Sequence, residues 1–214
     1  MVFLLLVLIL GILLSLPVVQ TKIGQYITEQ INKDYGTDIN VEQVALTVFG
    51  GVKLKKVLIK DHHKDTLFYI NRLKTNILDF NKLYNGDLLF GDIRMDGLFF
   101  HLKQYKNEKE TNLDKFVSAF DDGSPSTGKF LMKANAIYLK NSYFTMIDEN
   151  SEDPKILEFL KINAQLEGFK IKGTDVTSAI TEMSFLDFRG LKVENLKTQF
   201  TYTKKNILLQ KLKL

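Results

Sequence analysis

The sequence contains no cysteine, which excludes disulfide bonds and thiolate metal sites and leaves the cellular compartment open. Arginine is scarce as well: the net charge of +4 comes mainly from lysines, which are spread along the chain and interleaved with acidic residues. Nucleic-acid-binding proteins generally use arginine for bidentate contacts to bases and phosphates. We therefore do not expect a nucleic acid as a partner.

The sequence has only three histidines and no recognisable catalytic motif. His62 and His63 are adjacent, so on a strand they would point to opposite faces and could not share a metal ion without a loop geometry. We expect them in a loop, with no metal site and no cofactor. The sequence has no nucleophile elbow and no HExxH, and Gly50-Gly51 lacks the helix start and the Lys-Ser/Thr pair of a phosphate loop. No catalytic residue is assigned, and an enzyme is not expected.

Charge is absent from Val2 to Val19, a run that spans about 27 Å as a helix. This length predicts a transmembrane anchor over residues 1–20. A cleaved signal peptide is the alternative, but the run exceeds the usual apolar region and no small-x-small cleavage site follows it. No Lys or Arg precedes the segment, so charge does not indicate its orientation.

A helical period follows the apolar run. Apolar residues recur at helical spacing from Ile23 to Ile31, Thr21 can act as N-cap, and Gly36 stands where a left-handed residue ends a helix. The pattern predicts an amphipathic helix over residues 21–36. Such a helix lies at a membrane interface, plugs the end of the following domain, or is an ordinary helix packed on the first sheet.

From Ile39 onward the period is that of strands, with one recurring irregularity. Apolar residues alternate, slip by one position and alternate again, as h-x-h-x-x-h-x-h. The clearest instances are Ile39, Val41, Val44, Leu46; Val52, Leu54, Val57, Ile59; Ile93, Met95, Leu98, Phe100; Ala164, Leu166, Phe169, Ile171; and Ile207, Leu209, Leu212, Leu214. Two further instances have one weak position each: Ile137, Leu139, Ser142, Phe144, and Leu191, Val193, Leu196, Thr198.

Polar or turn-forming pairs such as Lys55-Lys56 and Asp96-Gly97 stand at the slips. One extra residue would turn the second half of a strand inside out unless the backbone bulges there. A two-residue hairpin turn would also keep both halves on one face. Both alternatives predict a strongly twisted or curved antiparallel sheet with one apolar face.

The chain divides at "DDGSPSTG", a linker loop over residues 121–128 that follows a short helix predicted at Leu113 to Phe120. Residues 37–120 form a first β unit and residues 129–214 a second, which we expect to continue in a longer native protein. The predicted fold class is mainly β: a transmembrane helix and an amphipathic helix, followed by an elongated, curled antiparallel sheet that forms an open groove.

Several segments carry a family resemblance. The helix with T-x-x-G-x-x-I-x-x-x-I-N (Thr21 to Asn32), then "GTDINVEQVALTVFGGVKLKKVLIKD", "DTLFYINRLKTNI" and "GDLLFGDIRMDGLFFHLKQY", resemble the start of the AsmA-like family, especially its translocation and assembly module (TamB-type) branch in the Bacteroidota. The resemblance implies a single-pass inner-membrane anchor and a periplasmic β-groove with an apolar interior. It also implies a role in phospholipid transport between the inner and outer membranes, with an outer-membrane barrel as partner through a C-terminal part that is missing here.

An antiparallel sheet with a continuous apolar face must be covered, close on itself or hold a ligand. We expect phospholipid acyl chains to occupy the groove. The alternative is a scaffold for outer-membrane protein assembly or secretion, whose β core is dry and packs on itself. The residues predicted to line the groove are Val44, Leu46, Val52, Leu54, Val57, Ile59, Ile93, Met95, Leu98, Phe100, Ile137, Leu139, Phe144, Leu166, Phe169, Ile171, Leu191, Val193 and Leu196.

Overall fold

The computed structural model describes residues 15–47, 50–79, 81–82, 87–120, 131–152, 154–203 and 206–214. Within them two helices and ten strands are formed. In chain order they are α1 (Pro17–Tyr35), β1 (Asp38–Leu46), β2 (Gly51–Lys60), β3 (Thr66–Asn76), β4 (Leu88–Gln104), α2 (Asn112–Ser118), β5 (Leu131–Asp148), β6 (Lys155–Lys172), β7 (Asp175–Asp187), β8 (Lys192–Val193), β9 (Lys197–Tyr202) and β10 (Ile207–Lys213).

All ten strands belong to one open sheet, and 62% of the described residues are in strands, which confirms the prediction of a mainly β fold. The order is β1-β2-β3-β4-β5-β6-β7-β9-β10, with β8 paired to β7. Every pair is antiparallel except β4 and β5, which are parallel. A parallel pair needs a crossover rather than a hairpin, and here the crossover carries α2. The sheet is therefore mixed, whereas the sequence pattern predicted a purely antiparallel one.

The prediction of a transmembrane helix as part of the fold is wrong. Among the described residues no helix is both long enough and apolar enough to cross a membrane. Residues 1–14, which hold most of the predicted anchor, lie outside the described residues. From Pro17 the chain forms a single helix that includes Lys22, Glu29 and Lys33, so the predicted boundary between an anchor and a separate amphipathic helix falls inside α1.

The predicted C-terminal end of α1 is confirmed, whereas the predicted N-cap is wrong. Gly36 adopts φ 65°, ψ 26°, so the helix ends at the predicted left-handed residue. Thr21 is not the N-cap, because the helix begins earlier, with Pro17 in its first turn. The Thr21 hydroxyl instead contacts the backbone of Val44 in β1.

Side chains of α1 hydrogen-bond to the backbone of β1 along the free edge of that strand. Asn32 Nδ2 donates to the Ile39 carbonyl oxygen at 2.7 Å, and Asn32 Oδ1 accepts from the Ile39 N–H at 2.8 Å. Two further pairs make the same double contact: Thr21 with Val44, and Gln20 with Leu46. The helix thus satisfies backbone groups that an edge strand otherwise leaves open.

Left-handed residues lie inside the strands at the predicted slips. Positive φ angles occur at Lys56 (48°), Gly97 (68°), Asn141 (48°), Gly168 (59°) and Lys211 (54°). Each is within a continuous strand, so a hairpin turn is excluded at these positions. At Glu194-Asn195, by contrast, the strand breaks between β8 and β9.

Three of the left-handed residues lie side by side across the sheet with two residues of ordinary backbone conformation. The strand pairing aligns Glu42, Lys56, Asn71, Gly97 and Asn141 on neighbouring strands, and the register is the same on both sides of each. Among β1 to β5 no residue is inserted in one strand relative to its neighbour, as an ordinary bulge would require, although the register between β5 and β6 shifts beside Asn141. We call this line of aligned positions across β1 to β5 the crease.

The sheet also curls, because α2 connects strands that are far apart in it. Asn112 Oδ1 accepts from the Lys103 N–H in β4 at 2.9 Å, and the neighbouring Thr111 contacts the Tyr202 hydroxyl in β9 at 3.1 Å. Four strand pairings separate β4 from β9, and the register places Tyr202 level with Leu88, at the far end of β4 from Lys103. The contacts of Thr111 and Asn112 nevertheless bring Tyr202 and Lys103 close to one another, which requires the sheet to curl around α2.

Candidate functional site

The candidate site is the apolar face of the sheet, called the inner face below. Its side chains form three clusters around Val57, Ile93 and Ile162. Leu73 and Met95 belong to both the first and the second cluster, and Leu139 and Leu166 belong to both the second and the third. The clusters therefore make one apolar surface from β1 to β8.

Most of the predicted lining residues lie in these clusters. They are Val44, Leu54, Val57, Ile59, Ile93, Met95, Leu98, Ile137, Leu139, Phe144, Leu166, Phe169, Val193 and Leu196. Val52 and Ile171 are half-buried near the ends of their strands. Leu46 is 44% exposed at the end of β1, and Leu191 is 62% exposed in the turn between β7 and β8. Leu191 thus lies outside the clusters, in a turn.

A row of five phenyl rings crosses the inner face from β3 to β7. Its members are Phe68, Phe100, Phe144, Phe159 and Phe185, and successive ring centroids are 4.5, 5.3, 5.9 and 4.4 Å apart. These spacings are typical of favourable aromatic pairs. Sequence reasoning found Phe100 and Phe144 but missed the other three, because the row becomes visible only once the register between strands is known.

The inner face is incompletely covered. In the part of the chain that the structure describes, every strand belongs to the one sheet, so no second sheet lies over this face. Each cluster joins side chains of strands that are close in the sheet. Helix α1 packs on β1, and α2 packs on β4 and accepts a hydrogen bond from Tyr202 of β9. Four of the five rings in the row are only half-buried, with Phe185 the exception at 9% exposure.

The outer face is chemically different. Charged pairs such as Lys56–Glu42 at 2.8 Å and Arg94–Asp92 at 3.2 Å lie along it. Phe99 and Tyr143 form a stacked aromatic pair on this face, and the Tyr143 hydroxyl donates to Glu158. Burial and this hydrogen bond raise the pKa of Tyr143 to about 12. The outer face of the described sheet thus combines charged pairs with aromatic side chains, whereas the three joined apolar clusters lie on the inner face.

A buried polar network fixes the loops at one end of the sheet. Asp61, 4% exposed, accepts hydrogen bonds from the Tyr105 hydroxyl at 2.7 Å and from Asn112 Nδ2 at 3.1 Å. Burial acts to raise the pKa of Asp61, but these bonds and those from the backbone of His63 and Asp65 outweigh it and lower the pKa. The network ties the β2–β3 loop to α2, and no sequence motif had indicated it.

No protein-family model matches this chain, and no curated protein matches it at a meaningful level. The resemblance to AsmA-like proteins therefore stays a prediction from sequence patterns.

Proposed function

We propose that the inner face binds the acyl chains of phospholipids and that the protein carries lipid along the curled sheet. The observation that supports this most directly is the row of half-buried phenyl rings within an apolar surface that no second sheet covers in the described part. An occupant that supplies only methylene groups fits such a surface, because the row of rings offers it no polar partner.

Hydrophobic burial is sufficient to drive this binding. Each methylene transferred from water contributes about 0.8 kcal/mol, so ten methylenes contribute about 8 kcal/mol before the cost of association. Movement of lipid along the face needs no covalent step, since one apolar contact replaces another. The expected position in a cell envelope and the expected outer-membrane partner stay predictions.

Adjacent phenylalanines on β4 provide a matched test. Phe100 lies in the row on the inner face, whereas Phe99 stacks on Tyr143 on the outer face, and both are half-buried. We expect Phe100→Glu to reduce binding of a fluorescent phosphatidylethanolamine at least tenfold, because it places a carboxylate among acyl chains. Phe99→Glu should bind as the unaltered protein does.

Each variant loses two ring contacts, Phe100 those with Phe68 and Phe144 and Phe99 those with Tyr143 and His101. Circular dichroism and thermal unfolding should therefore show comparable folding. Equal lipid binding by the two variants would contradict the proposal. So would a wild-type protein that binds no lipid, which is the result expected from a scaffold with a dry, self-packed core.

A further inference from the structure

A cluster of two histidines and a glutamate lies at the loop end of the sheet. His62 and His63 are in the loop between β2 and β3, as expected from the sequence, and Glu108 is in the loop after β4. His62 Nε2 is 2.8 Å from Glu108 Oε2, and His63 Nε2 is 2.7 Å from Glu108 Oε1. Both rings thus turn their Nε2 atoms toward one carboxylate.

This loop geometry removes the objection that the sequence raised against a shared ion. Adjacent residues on a strand point apart, but the turn after Asp61 lets both rings face the same way. Donor atoms of the three side chains lie within 4.8 Å of one another. The ligands of a tetrahedral zinc ion lie about 3.3 Å apart, given Zn–N distances of about 2.0–2.1 Å. Small side-chain rotations would reach that spacing.

Surrounding groups hold the two imidazoles in place. The Tyr105 ring packs on His63, with centroids 3.9 Å apart, and meets His62 edge-on at 5.4 Å. The Asp61 carboxylate accepts from the His63 N–H at 2.9 Å, which fixes the turn. Such contacts around a ligand set orient it before an ion arrives.

The backbone of Glu108 is held as firmly. Its carbonyl oxygen accepts from Gln104 Nε2 at 2.9 Å and from Asn150 Nδ2 at 3.0 Å. The second bond reaches across from the turn after β5, so three loops converge on the cluster. The glutamate carboxylate is thereby presented from a fixed position.

Exposure and charge also suit a cation from solution. The side chains of His62, His63 and Glu108 are 31%, 46% and 24% exposed. Further carboxylates lie close by at Asp65 and Glu149, with the Lys103 ammonium between them. An ion held by two imidazoles and one carboxylate keeps a position open for water.

We propose that His62, His63 and Glu108 bind a divalent transition-metal ion, with Zn²⁺ as the ion best suited to two imidazoles and a carboxylate. The ion would replace the two hydrogen bonds to Glu108 and join the β2–β3 loop to the loop after β4. This inference is independent of lipid binding.

Titration of the chelator-treated full chain with ZnCl₂ by calorimetry tests the site, with any polyhistidine tag removed. We expect one Zn²⁺ per chain and at least a tenfold loss of affinity in His62→Ala, His63→Ala and Glu108→Gln. His101→Gln is the matched control: it removes the remaining imidazole, which is outside the cluster, and should leave the affinity unchanged.

Cobalt provides a second readout that does not depend on heat signals. Co²⁺ should give visible absorption typical of a four- or five-coordinate site in the unaltered protein and in His101→Gln, and lose it in His63→Ala. Absence of saturable binding in the unaltered chain would overturn the proposal, as would equal loss of affinity in His101→Gln and His63→Ala.

Discussion

At Gly97 the backbone adopts φ 68° in the middle of β4, next to the left-handed Asn141 of β5. A Cβ atom added at Gly97 would lie 3.1 Å from the Cβ of Asn71 on β3. Gly168 has φ 59° in β6, but a Cβ there would meet nothing within 4 Å. The two glycines thus share a left-handed conformation and differ in the space around them.

This difference predicts unequal costs for the same substitution. Gly168→Ala should lower the free energy of unfolding by about 1 kcal/mol, the cost of a left-handed residue with a side chain. Gly97→Ala should cost about 2–3 kcal/mol, because the methyl group also crowds Asn71. Urea unfolding followed by circular dichroism measures both values. Equal costs would show that the crease has room for a side chain.

Sequence periodicity located most of these positions but not their conformation. The polar pairs at Lys55-Lys56, Asp96-Gly97 and Lys140-Asn141 marked where both apolar halves had to stay on one face. A bulge and a hairpin satisfy that condition equally, so the choice between them needed the backbone. The sequence pattern around Asn71 is short, so its place on the crease shows only through its alignment with Lys56 and Gly97.

Helix α1 acts as an edge cover for the sheet. Asn32 offers an N–H donor and a carbonyl acceptor to Ile39 with nearly the geometry of a neighbouring strand. At the other edge, every residue of β10 is exposed, including Ile207, Leu208 and Leu209. The two edges of the described sheet therefore differ in how their backbone groups are satisfied.

Removal of the Asn32 side chain tests the edge cover. Asn32→Ala should lower the free energy of unfolding by about 1–2 kcal/mol, because the partly buried N–H and carbonyl of Ile39 lose their partners. Gln20→Ala, at an exposed pair, should cost less than about 0.5 kcal/mol because water replaces the amide. Thermal unfolding of the two variants provides the comparison. If Asn32→Ala proved as mild as Gln20→Ala, the helix would not stabilise the edge.

The helix itself was predictable, but its role was not. Helical spacing from Ile23 to Ile31 and the terminal Gly36 indicate where α1 lies. Periodicity weighs apolar residues, whereas the edge contacts come from the polar Thr21 and Asn32. The anchor prediction also weighed apolar residues alone. In the described part it is wrong, because the helix that begins at Pro17 continues into a charged segment.

On the scale of the whole molecule, one sheet contains all the described strands, and three apolar clusters join along its inner face. Alternation predicted which side chains share that face. It could not predict that β4 and β5 run parallel, that α2 draws the end of β9 toward β4, or that five rings align across five strands. Each of these depends on which strands are neighbours, which is information about distant parts of the chain.

The most direct test of the lipid-binding account is mass spectrometry of lipids extracted from the full chain purified without detergent. We predict phospholipid in amounts comparable to the protein, retained in Phe99→Glu and lost from Phe100→Glu. A wild-type extract with no more phospholipid than that of Phe100→Glu would contradict the claim that acyl chains occupy the inner face.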